Sequence, residues 1–177
     1  MFGPSAEGHD TFLLAPQGTR PWGDGYCWSF AQAARAIRNL IETTCAAYPI
    51  DRNRLSLIGY SMGCAMGLWM VAHNTGLFRF FAALGMGSVF EPWEYDDGGI
   101  DENGLSASAG KTRVLLAVDQ SDPAGTNSYF NHNLERLRGL GFQIATFRPN
   151  EGAHAVTGQE CPQGYKQCKA NPGLEVS

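Results

Sequence analysis

Hydrophobic positions in this chain fall into two kinds of stretch. Continuous apolar runs of strand length occur at 11–16 (TFLLAP), 54–59 (RLSLIG), 78–86 (FRFFAALGM), 113–118 (RVLLAV) and 142–147 (FQIATF). Between most of them lie stretches with helical spacing. Phe30, Ala33, Ala34, Ile37, Leu40, Ile41, Thr44 and Cys45 share one helical face and predict a helix from Ser29 to about Tyr48, with Ser29 and Gln32 placed as a capping box. A second helix is predicted over 62–75, with Gly76 as its stop. A third is predicted over 127–140, carrying Phe130, Leu134, Leu137 and Leu140 and closed by Gly141.

Strands that are apolar throughout, rather than alternating, belong to a parallel sheet buried on both faces. The expected fold is therefore α/β: a three-layer sandwich with a mainly parallel sheet of about five strands and helices on both faces. Residues 1–157 are expected to form the domain, with a loop or partial cap at 88–111, which is acidic and rich in small residues. Residues 158–177 read as a tail. The segment QGTRPWGDGYCW, 17–28, reads as a loop.

Composition narrows the function. At 177 residues, with 44% hydrophobic and 17% charged, the chain can bury a real core without staples. A net charge of −4 carries no basic footprint for nucleic acid, and no apolar run reaches membrane-spanning length. Residues 1–10 lack the features of a signal peptide. The five cysteines show no metal-ligand spacing, so no metal is expected. Cys45 and Cys64 read as core residues. Cys161 and Cys168 either stay free or pair across a small loop; pairing would imply an oxidising, secreted or periplasmic setting. The acidic stretch DDGGIDENG does not meet the EF-hand pattern and reads as a solvated loop.

The candidate chemistry centres on Gly59-Tyr60-Ser61-Met62-Gly63. Gly-x-Ser-x-Gly is weak as a bare pattern, but here it follows a predicted strand and opens a predicted helix. That context is the nucleophile elbow, where a serine is lifted on a strained turn. Both glycines are expected to be required where helix and strand pass closely. The Met62 amide then stands at a helix N-terminus, where an oxyanion would form. A serine nucleophile needs a base, itself oriented by an acid, from loops at the carboxyl ends of strands. Asp122, after the fourth strand, is the preferred acid, with Asp119 as its competitor. His154, after the fifth strand, is the base. His9, His73 and His132 lie before the first strand or within helices. Trp22, Trp28 and Trp93, with Tyr95, sit beside strand ends and are candidates to line a cleft for an acyl or phenolic group.

With these residues in place, the chain resembles the α/β-hydrolase superfamily, and within it the secreted-type esterases of the polyhydroxyalkanoate-depolymerase and feruloyl-esterase kind. The likeness runs from Asp10 to Val156 through DTFLLAPQG, a tryptophan before a helix, YPIDRNRLSLIGYSMG, DQSDP and GAHAV. It implies a serine esterase that works through an acyl-enzyme without a cofactor, on a small-molecule or polymeric ester. Peptidases and acyltransferases use the same triad and stay open as alternatives. There are two departures. The residue after the elbow is Cys64, where the family has glycine or another small residue. In addition, only ten residues precede Thr11, with no strand ending in a His-Gly-type turn. The chain is thus expected to be compact or N-terminally shortened. The Gly18–Thr19 segment is the remaining candidate for a second oxyanion donor, and a non-catalytic or truncated hydrolase-like protein is the rival reading.

Overall fold

The computed structural model describes residues 11–18, 20–22, 25–91, 99–122 and 126–148. Four strands, β3 (Ser56–Tyr60), β4 (Phe80–Leu84), β5 (Arg113–Ala117) and β6 (Ile144–Phe147), form a wholly parallel sheet in the order β3-β4-β5-β6. A separate antiparallel hairpin, β1 (Arg20–Trp22) and β2 (Gly25–Cys27), lies in the segment expected to be a loop. Gly18 explains part of its placement: a Cβ there would sit 2.5 Å from the Cys27 carbonyl oxygen, so the chain passes directly over β2.

The helices are α1 (Phe30–Ala47), α2 (Met62–His73), α3 (Glu102–Ala109) and α4 (Thr126–Gly139). Three of them match the sequence periodicity to within two residues at each end. The α1 capping box does not form. Ser29 occupies the N-cap, but its side chain makes no capping bond, and the first turn closes through Ala33 N–H to Ser29 O at 2.7 Å. Gly76 and Gly141 take the left-handed conformation expected of chain-reversing glycines, with φ of 78° and 93°.

Residues 11–16 join no strand ladder among the described residues, which gives four parallel strands there rather than five. Phe12 and Leu13 are exposed, and the Phe12 ring rests on Tyr48 at a centroid distance of 4.6 Å. Helix α3 lies within the stretch expected to be a loop. Its small residues allow close packing rather than flexibility. A Cβ on Gly104 would sit 2.2 Å from the Ala72 carbonyl oxygen, and the buried Ser108 hydroxyl donates to Val71 O at 2.9 Å. The Asp101 carboxylate accepts from Gly104 N–H at 3.0 Å and caps the helix start.

The core lies between α2 and one face of the sheet. Phe81, fully buried, projects onto α2 where Gly67 leaves room for its ring, and Val114 and Leu116 share that face. The opposite face is more open among the described residues, with Ile58 45% and Phe147 40% exposed. No helix of the described residues is long and apolar enough to cross a membrane.

Candidate active site

The register puts the carboxyl ends of the four parallel strands at one level: Tyr60 opposite Leu84, Leu84 opposite Ala117, and Ala117 opposite Phe147. The ladder continues one step further, through Ser61 N–H to Leu84 O (3.0 Å), Gly85 N–H to Ala117 O (2.8 Å) and Val118 N–H to Phe147 O (3.1 Å). The segments that begin at Ser61, Met86, Asp119 and Arg148 therefore rise from a single rim.

Ser61 stands at the sharp turn between β3 and α2, with φ 50° and ψ −118°. It is the only non-glycine residue with positive φ among the described residues. Such a backbone costs on the order of 1–3 kcal/mol and persists only where surrounding contacts enforce it. Three contacts do so here. Ser61 N–H is held by Leu84 O, Cys64 N–H closes onto Ser61 O at 2.9 Å, and the Cys64 thiol lies 3.3 Å from both Gly59 O and Leu84 O. Burial pushes the Cys64 thiol far above its ordinary range, so it stays a protonated donor. The half-buried Ser61 makes no side-chain capping bond to the helix it precedes. Met62 is the first residue of α2, so its amide is among those left without an intrahelical acceptor.

The two glycines of the motif differ. A Cβ on Gly59 would lie 2.5 Å from Gly63 O, 2.7 Å from Gly63 C and 2.8 Å from Cys64 Cα, so only glycine lets strand and helix pass. A Cβ on Gly63 would meet nothing within 4 Å among the described residues. The expectation that both are sterically required holds for Gly59 alone.

Asp119 and Asp122 are both buried beyond the end of β5. The Asp119 Oδ1 atom accepts from Ser121 N–H at 2.8 Å and from Ser121 Oγ at 2.6 Å, and the Asp119 backbone oxygen accepts from Asp122 N–H at 3.2 Å. These bonds make an Asx-type turn at Asp119. Gln120 Nε2 donates to Arg148 O at 3.0 Å, tying the turn to the exit of β6, and the Arg148 guanidinium lies 4.5 Å from the Phe130 ring centroid. None of these ties was foreseen from the sequence. Asp119-Gln120-Ser121, a carboxylate two residues ahead of a serine, is the local signal that could have predicted the turn.

The other sequence candidates scatter. His73 is exposed on α2, stacked on Trp69 at 3.5 Å with Nδ1 bonded to Trp69 O at 3.0 Å. His132 is exposed on α4 and meets Phe90 edge-on. Trp28 is half-buried against the core and lines a broad cleft shared with Ile58, Gly63 and Phe80 but not with Ser61. Trp22 lies in β1, and its side chain is outside the described set. His9, Thr19, Trp93, Tyr95, His154, Cys161 and Cys168 all fall outside the described residues.

Two solved structures share this fold over part of their length. A thermostable esterase superposes with a TM-score of 0.50 at 19% identity, over 68% of this chain and 29% of that one. The acylaminoacyl peptidase of Pyrococcus horikoshii superposes with a TM-score of 0.54 at 19% identity, over 71% of this chain and 24% of that one. The fold is the α/β-hydrolase fold. The chain spans under a third of the length of either structure. No protein-family model matches the chain, and no curated protein matches it.

Proposed function

We propose that the protein is a serine hydrolase that cleaves carboxylic esters through an acyl-enzyme. The observation that carries this reading is Ser61 itself: a strained serine on the strand-to-helix turn, its hydroxyl uncommitted to the helix, on a rim that also carries a buried carboxylate. In this reading Ser61 Oγ attacks the ester carbonyl as His154 takes its proton. The Met62 N–H receives the developing oxyanion, with Thr19 as the second donor. The imidazolium then protonates the leaving alkoxide, and a water activated by the same histidine releases the acid. In this reading Asp122, buried at the end of β5, holds the imidazole tautomer and stabilises its charged form.

Distances along the rim support the assignment. Parallel strands stand about 4.8 Å apart, so β3 and β6 are separated by about 14 Å. Residue 154 follows Arg148 by six positions, a reach of about 20 Å when extended. An imidazole can therefore be delivered from β6 to a serine on β3, across the acid on β5. The depolymerase or feruloyl-esterase type rests on the sequence resemblance. A peptidase reading has its own support, in the likeness to an acylaminoacyl peptidase. Parallel assays on p-nitrophenyl esters and acyl-amino-acid amides separate the two. Hydrolysis of short esters, lost in Ser61→Ala, is the expected result. Amide cleavage without ester cleavage would favour the peptidase, and ester turnover unchanged in Ser61→Ala would end the proposal.

A further inference from the structure

We infer that Cys64 is a positioning residue for Ser61: its buried thiol clamps the turn that presents the nucleophile. This rests on the proposed serine chemistry for its functional meaning, but the clamp itself can be tested without it.

Cys64 is 0% exposed and sits three residues past Ser61, on the first turn of α2. Its sulfur is 3.3 Å from Gly59 O, two residues before the serine, and 3.3 Å from Leu84 O on the neighbouring strand. Leu84 O is also the acceptor for Ser61 N–H. One carbonyl, with two lone pairs, thus receives both the serine amide and the thiol. The single S–H is shared between that oxygen on β4 and Gly59 O on β3, so one proton links the start of α2 to both strands. Cys64 N–H also closes the turn onto Ser61 O. The thiol side chain spans the strand before the bend, the helix after it and the adjacent strand. Gly59, with no Cβ, allows this approach.

A smaller residue at this position would fill the space less fully and would supply no donor. Serine is close in size and keeps the donor, so the pair Cys64→Ser and Cys64→Ala separates the clamp from simple filling. The experiment is amide hydrogen exchange of the full-length protein, read on the peptide covering residues 60–64, well below the melting temperature of each variant. The fluorophosphonate labelling rate at Ser61 is measured on the same samples. In Cys64→Ala we expect exchange at the turn at least about tenfold faster than wild type, with a matching loss of labelling rate, while exchange in β5 stays unchanged. In Cys64→Ser both quantities stay within about threefold of wild type. Unchanged exchange in Cys64→Ala, or equal acceleration in both variants, overturns the inference. If Cys64→Ala does not fold, Cys64→Ser alone decides it: retained protection supports the clamp and a tenfold loss overturns it. Should the wild type take no label while exchange follows the expected pattern, the clamp stands and the serine-hydrolase reading fails.

Discussion

The sharpest stability prediction concerns the two motif glycines, which a pattern treats alike and the structure does not. In Gly59→Ala the new methyl carbon would lie 2.5 Å from Gly63 O, against 3.4 Å for an ordinary contact, and the atoms it meets are backbone. Strand and helix must therefore separate by about 0.9 Å, the difference between those distances. Overpacking of this kind costs about 1–3 kcal/mol. For a domain of this size each kcal/mol moves the melting temperature by about 2–4 °C, so a fall of about 2–12 °C is expected. The displaced turn is the one that carries Ser61. A misplacement near 1 Å costs about a hundredfold in rate, so fluorophosphonate labelling should fall by that order even in folded protein. Gly63→Ala is the control. Its methyl meets no atom within 4 Å among the described residues, and Gly63 lies in the first turn of α2 and has no positive φ, so alanine should be neutral or stabilise by up to about 1 kcal/mol. Differential scanning fluorimetry on the two variants is sufficient. Gly63→Ala falling as far as Gly59→Ala, or Gly59→Ala melting with the wild type, would refute the reasoning.

Other variants test neighbouring parts of the site. Asp122→Asn should reduce ester turnover by about 10²–10⁴ with little change in melting, as loss of the triad acid does, whereas Asp119→Ala should act mainly on stability by releasing Ser121; kcat and melting temperature on both variants check this, and reversed effects would exchange the two roles. Gly104→Ala should lower stability by about 1–3 kcal/mol, because its methyl would strike Ala72 O at 2.2 Å; denaturant unfolding reads the loss, and an unchanged midpoint would contradict the tight packing of α3 on α2. Asn133→Ala should also destabilise by about 1–3 kcal/mol, since the buried amide donates to Met86 O and Gly87 O and holds the chain leaving β4; the same titration would show otherwise by giving the wild-type midpoint.

Much of the fold was legible because its signals are local. The runs at 54–59, 78–86, 113–118 and 142–147 became β3 to β6, and the helical faces of α1, α2 and α4 fell where the spacing put them. Residues 11–16 misled because an apolar run reports burial and length, whereas a strand also needs a partner edge. The stretch around Glu102–Ala109 misled in the opposite sense. Glycine, serine and alanine look like loop composition, yet here they let two helices touch. The elbow was legible from strand, motif and helix in sequence. The thiol clamp was not, because its acceptors come from residues 59 and 84, and nothing along the chain links them to Cys64. Likewise, the bond that engages Asp119 depends on where the Ser121 hydroxyl points, which spacing does not encode.

The central claim is that Ser61 is held as a nucleophile. The most direct measurement is mass-spectrometric mapping of the adduct after folded protein is treated with a fluorophosphonate. The account predicts one phosphonylated residue, Ser61, with labelling lost in His154→Ala and after thermal unfolding. An adduct on another residue, or none on a protein that still melts cooperatively, would contradict it.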